Sequence, residues 1–256
     1  MKYLITIGKY TVIEGIRDKI LYVSLFIIFS LLLFSSYLSL LTLTSPEVAF
    51  LSFSFYFLKV FSMFALIFMV VFGLYREKRK KAYQIILIRL YNKAYYIWGK
   101  FFGYNILYFL ITFIVLIFIF ITNYVLWDKL NLKIFLYSPI LSLQFFIISA
   151  VIFILYLIIT SPILTAIISI AIFFGAHFSL DFYIFAAKTS KGLIKSLYTL
   201  IYFIFPNLEP YILEKNIIHN LTISNSFIIN LFVYSISYGL LIIFLSGVIF
   251  NNKRDY

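Results

Sequence analysis

The sequence predicts an all-α polytopic membrane protein with six transmembrane helices, and three observations carry that reading. Of its 256 residues, 64% are hydrophobic and only 12% charged, too apolar for a soluble chain of this length to cover with polar surface. The apolar residues fall in unbroken runs of about twenty or more, the length that crosses a hydrocarbon core of about 30 Å as a helix. Lys and Arg gather in alternate connections between the runs, which is the positive-inside pattern. Helices are required because a lone strand or coil in lipid leaves backbone amides unpaired at several kcal/mol each. A β-barrel is excluded because its strands need a polar lumen-facing residue at every second position.

The six runs are Ile20 to Leu43, Phe53 to Tyr75, Phe101 to Leu126, Ser138 to Thr160, Ile163 to Phe185 and Ser226 to Phe250. Lys2, Lys9, Arg17 and Lys19 precede the first, whereas the connection Thr44 to Ser52 has no basic residue and carries Glu47. The stretch Arg76 to Lys100 holds eight basic residues against one acid, Glu77, and is therefore cytoplasmic. Both termini then lie inside, with Lys253 and Arg254 in the tail, and the segments Trp127 to Tyr137 and Ala186 to Asn225 lie outside. Inside totals fourteen basic residues and outside six, with Lys59 within a span. The expected location is the inner (plasma) membrane, multi-pass, and the first run is too long to be the apolar region of a cleaved signal peptide.

Three segments flank the spans. Residues 1–19 form an amphipathic helix with Leu4, Ile5, Val12 and Ile16 on one side and Lys2, Lys9, Glu14 and Arg17 on the other. Ile7 and Ile13 fall outside that pattern, and the stretch reads either as an elbow helix in the inner interface or as the flank of the first span. Between the fourth and fifth spans only Ser161 and Pro162 are available, so these helices form a tight antiparallel hairpin. In the outer segment 186–225, the thirteen-residue apolar run Leu193 to Phe205 is too short to cross. It reads as a re-entrant or interfacial helix, with Thr189 or Ser190 as its cap, Lys191 and Lys195 near headgroups, and Pro206 stopping it.

Chemistry-bearing residues are few. The chain has no cysteine, which removes disulfides, thiolate nucleophiles and cysteine metal sites, and two histidines with one deep acid assemble no catalytic dyad or metal site. An enzyme is not expected. The net charge of +12 points to anionic lipid rather than nucleic acid. Gly99-Lys100 lacks the upstream Gly of a phosphate-binding loop, so any ATP chemistry belongs to another chain. His177 and Asp181, four residues apart, would project from one helix face. They are either a cation or proton contact on a translocation path or a mutually satisfied pair near the outer interface. The first alternative would make the chain a self-sufficient secondary carrier or channel. Lys59 reads as snorkelling to the outer headgroups. The stretch Arg76 to Lys100, 25 residues with a net charge of +7, is longer than a connection between two helices requires, which leaves room for a helix that a partner grips.

Three regions resemble the ABC type-2 permeases, the membrane subunits of exporters that pair with separate ATPases. The first is Thr11-Val-Ile-Glu14-Gly-Ile-Arg17-Asp18-Lys19-Ile-Leu-Tyr22, similar to the amphipathic lead-in of that family. The second is Arg76-Glu77-Lys78-Arg79 followed by Asn92-Lys93-Ala-Tyr-Tyr-Ile-Trp-Gly99-Lys100-Phe-Phe-Gly103, with Leu90 where many members have proline. The third is Phe205-Pro206-Asn207-Leu208-Glu209-Pro210-Tyr211, similar to a turn found in one branch, as is the ending Phe250 to Tyr256. The resemblance implies one permease domain over 1–256 that moves substrate, by export, with no cofactor of its own. ATP and Mg would act through a partner ATPase, on which the stretch 76–100 docks, and the permease would pair with itself or a related permease. The coupling residues so implied are Arg17, Asp18, Arg76, Glu77, Lys78, Arg79, Lys93, Gly99 and Lys100, and the outer turn is Pro206, Asn207, Leu208 and Glu209. Spans this apolar suit lipophilic cargo, or a path lined by backbone and hydroxyl groups.

Overall fold

The computed structural model describes residues 2–42, 45–79, 92–188 and 192–252, and among them every regular element is a helix, with no strand. In order the helices are α1 (Lys2–Ile16), α2 (Lys19–Leu40), α3 (Pro46–Arg79), α4 (Ala94–Trp127), α5 (Tyr137–Ile158), α6 (Pro162–His177), α7 (Ser179–Lys188), α8 (Gly192–Ile204), α9 (Glu214–Ile218) and α10 (Asn225–Asn252). Single 3-10 turns at Leu132–Leu136 and Glu209–Tyr211 lead into α5 and α9. Among the described residues five helices, α2, α3, α4, α5 with its preceding 3-10 turn, and α10, are long and apolar enough to cross a membrane. The fold is that of a multi-pass integral membrane protein.

Burial ranks the helices. In α5 and its lead-in 72% of the apolar window is inside, against 22% in α2 and in α10, so α5 is central and α2 and α10 form edges whose apolar side chains face outward. α2 packs along α3, α10 packs on α5 and α4, and α3, α4 and α6 close around α5. Because lipid offers no hydrophobic drive between helices, close packing and hydroxyl bonds join them. Ser35 Oγ bonds Ser54 Oγ at 2.8 Å, Ser62 Oγ bonds Tyr108 Oη at 2.9 Å, and Tyr75 Oη donates to the Ile159 carbonyl at 2.6 Å.

Several expectations change. The connection expected at 44–52 is mostly helix, since α3 begins at Pro46 with Glu47 in its first turn, where a carboxylate suits the positive end of the helix dipole. The stretch 76–100 is not one loop. α3 continues through Arg79 and α4 starts at Ala94, so Arg76 to Arg79 and Gly99 with Lys100 are helical extensions of two spans. At 34 residues each, α3 and α4 measure about 51 Å at about 1.5 Å per residue, well beyond a hydrocarbon core of about 30 Å. Lys80, Lys81, Arg89 and Leu90 lie outside the described residues, as do Thr189, Ser190, Lys191, Lys253 and Arg254.

The fifth expected span is broken. α6 ends at His177 after 16 residues, about 24 Å, and α7 begins at Ser179. The reason is tertiary: the Ala176 carbonyl, which a continuous helix would give to the amide of residue 180, accepts instead from the Leu208 amide at 3.1 Å. In the run Leu193 to Phe205 a helix forms, α8 at Gly192–Ile204, which stops before Pro206 and packs on α7. The turn at Ser161 and Pro162 is as expected, with Ser161 capping α6 and Pro162 at its first position.

α1 is a separate helix, lying along α4, but the face it buries is not the expected one. Ile5 and Ile16 are exposed, while Ile7, Gly8, Thr11 and Gly15 are buried. Small residues set the approach. A Cβ at Gly103 would lie 2.6 Å from the Thr11 Cβ and 2.8 Å from the Gly8 carbonyl, and one at Gly99 would lie 2.7 Å from the Ile7 Cβ. Gly99 and Gly103 form the Gly-x-x-x-Gly spacing that lets helices cross closely.

Candidate functional site

The sequence break at Arg17-Asp18 ends α1 and starts α2, and Asp18 performs two tasks there. Its Oδ1 accepts from the Ile20 amide at 3.1 Å, capping α2, and its Oδ2 accepts from Arg76 Nη2 at 2.7 Å on the extension of α3. Arg76 also lies 3.6 Å from Glu14 on α1. Lys100, on the extension of α4, donates to Glu14 at 2.9 Å and to Glu77, which also accepts from the Tyr96 hydroxyl. Three carboxylates and two cations thus tie α1, the α1–α2 break, α3 and α4 at one end of the bundle.

Burial separates the members. The Lys100 and Asp18 side chains are 6% and 5% exposed, and Glu77 12%, whereas Glu14 and Arg76 are more than a third exposed. A buried ammonium or carboxylate is tolerated only when paired, so Lys100 and Glu77 are mutually obligatory, while Glu14 and Arg76 form the wet rim. Burial raises the Glu14 carboxyl, but the Lys100 ammonium and the Arg76 guanidinium outweigh it and hold it below the ordinary carboxylate range.

Of the residues expected to couple, Asp18, Arg76, Glu77 and Lys100 meet in this network, and Gly99 packs against α1 beside it. Lys78 sits 6.0 Å over the Tyr156 ring. Arg17 and Arg79 are exposed, and Lys93 is half-buried next to Asn92, whose Oδ1 accepts from the Ala94 amide at 2.8 Å. The bridging role of Glu14 and the part played by Tyr96 were not anticipated. Lys100 itself was the available signal, because a lysine opening an apolar helix has to find a carboxylate.

At the opposite ends of α3 and α4 the turn Pro206 to Glu209 docks as a unit. Asn207 Oδ1 accepts from the Ser179 hydroxyl and the Glu209 backbone amide, each at 3.2 Å, and the Asn207 backbone amide donates to Tyr234 Oη at 3.0 Å. Pro206 and Leu208 are buried, and Gln144 donates to the Leu208 carbonyl at 3.4 Å. Glu209 is half-buried, and burial with the neighbouring Asp181 carboxylate pushes its carboxyl above the ordinary range. The turn is thereby fixed on α5, α6, α7 and α10.

His177 and Asp181 do not share a helix face, because the chain breaks between them. His177 contacts the Phe173 carbonyl at 2.9 Å and Gln144 Nε2 at 3.3 Å, while Asp181 is exposed. Lys59 does not snorkel. It donates to Glu214 Oε1 at 3.1 Å, and Tyr137 Oη donates to the same oxygen at 2.8 Å, clamping α9 onto α3 and α5. Glu214→Leu alone is expected to cost about 1.5–3 kcal/mol, the range for hydrogen bonds to charged groups. Combining it with Lys59→Met should recover part of that loss in thermal unfolding of the purified protein.

No protein-family model and no curated protein sequence matches the chain. Among the described residues no group of three or more His, Asp or Glu is placed to hold a metal ion.

Proposed function

We propose that this chain is the permease subunit of an ATP-driven exporter, working with a separate ATPase that supplies the ATP and Mg chemistry. The observation that supports this reading is the charge network joining α1, α3 and α4 at the end where α3 and α4 outrun a membrane. A connection between two spans needs neither the extra helical turns nor a buried lysine held by two carboxylates. Both suit a body that receives a push and passes it to close-packed helices. The stretch 76–100 is the expected docking element, its residues 80–91 lying outside the described residues, and that end is cytoplasmic by the distribution of Lys and Arg. In this reading α6 is a short sixth span, α1 lies in the inner interface, both termini are cytoplasmic, and two permeases pair to form one path.

The network also selects the right variants. Changing Glu77 would disturb folding, whereas Arg79 is exposed and serves as a docking probe. Purification from native membranes is expected to bring down a soluble protein with a phosphate-binding loop, and Arg79→Glu should release it while leaving the permease folded. A permease that transports at full rate with no ATPase present would refute the proposal. The carrier reading has lost the paired His177 and Asp181 on which it rested.

A further inference from the structure

A cavity of about 470 Å³ opens at the outer side between α3, α6 and α9, within the range of about 300–1,000 Å³ usual for small-molecule sites. Its walls are mostly apolar and aromatic, including Tyr56, Val60, Phe174 and Phe178, with Lys59, Lys215 and Glu214 at the polar end.

The charges do not cancel. Lys59 and Lys215 face one carboxylate, Glu214, and the His177 ring already meets the Phe173 carbonyl and the Gln144 amide. Lys59 gives one of its three N–H groups to Glu214 Oε1, and its side chain is 12% exposed. An ammonium so nearly buried gains from further acceptors. Lys215 is exposed at the same cavity. Glu214 Oε2 is buried without a hydrogen-bond partner among the described residues, so any head with a donor proton can serve it. A cation, however, meets a net positive lining, a neutral amphiphile gains the walls and uncharged hydrogen bonds, and an anion gains the walls and both ammonium groups.

We propose that this cavity binds an amphiphile with an anionic head, a carboxylate or phosphate placed toward Lys59 and Lys215, and an apolar body along Tyr56, Val60 and Phe174. The site goes beyond the ATPase-coupling reading and does not depend on it. It gives this face of the protein a ligand class of its own.

The test uses the full chain in phosphatidylcholine nanodiscs with no ATPase, so its failure and the failure of the exporter reading are separable. A long-chain fatty acid carrying a diazirine is cross-linked and the labelled peptides are mapped. Saturable labelling is expected on the peptides holding Tyr56 and Phe174. Laurate should compete at least tenfold better than dodecanol or dodecylamine. Lys215→Gln, at an exposed position, should shrink that preference severalfold, and Val60→Trp, which narrows the apolar part of the cavity, should abolish the labelling in protein whose thermal unfolding midpoint is unchanged. Equal competition by acid, alcohol and amine, preference for the amine, or labelling unchanged in Val60→Trp would each overturn the proposal.

Discussion

Glu77→Leu is expected to destabilise the protein more than any other single change in the charge network. It leaves Lys100, 6% exposed, with only the rim carboxylate of Glu14 as a partner, and breaking a buried pair by removing one side costs about 3–5 kcal/mol. The loss should appear as a lower midpoint in thermal unfolding of detergent-solubilised protein. Pairing Glu77→Leu with Lys100→Met should restore much of it, because an apolar pair of similar volume avoids the desolvation of two charges. If the double variant is as unstable as the single one, the network's role lies in its surrounding bonds to Tyr96 and Glu14 rather than in charge compensation.

The second large effect is expected at Gly103. A β-carbon there meets the backbone carbonyl of Gly8 at 2.8 Å and the Thr11 Cβ at 2.6 Å, and a backbone atom cannot turn aside as a side chain can. Gly103→Val should therefore lift α1 from α4, at a cost of about 3 kcal/mol, the upper end for overpacking. It should also draw Glu14 away from Lys100. Gly15→Ala is the matched control, since its new β-carbon meets the end of the flexible Leu107 side chain. Protease cleavage within residues 2–16 should rise sharply in Gly103→Val and little in Gly15→Ala. Equal susceptibility in the two variants would show that α1 is not held by this crossing.

These cases show what kind of information the sequence carries. Length and apolarity made α2, α3, α4, α5 and α10 readable, because the requirement to pair every backbone amide in lipid acts on each segment separately. The end of α6 was not readable. Phe178 and Ser179 look like any other pair in an apolar helix, and the break depends on an amide at Leu208, about thirty residues away in sequence. Lys59 likewise has its partner 155 residues further on, so a lone cation in a span was open to a local explanation. The buried face of α1 was missed because hydrophobicity was the wrong measure there. The crossing is made by Gly8, Gly15, Gly99 and Gly103, and the four-residue spacing of Gly99 and Gly103 was the signal that marks it. The charge network was half legible: its acids and bases stood out along the sequence, but which of them are buried and which form the rim follows only from how α1, α3 and α4 meet.

The absence of cysteine from the chain allows the coupling claim to be tested directly. A single cysteine replacing Arg79, carrying a cleavable photo-crosslinker in native membranes, places the probe at the exposed end of α3 within the stretch proposed to dock. The account predicts that it captures a soluble protein whose sequence contains a phosphate-binding loop, and that a probe at Lys215 on the outer side does not. Capture of no such ATPase from Arg79 in a folded permease, or equal capture from Lys215, would contradict it.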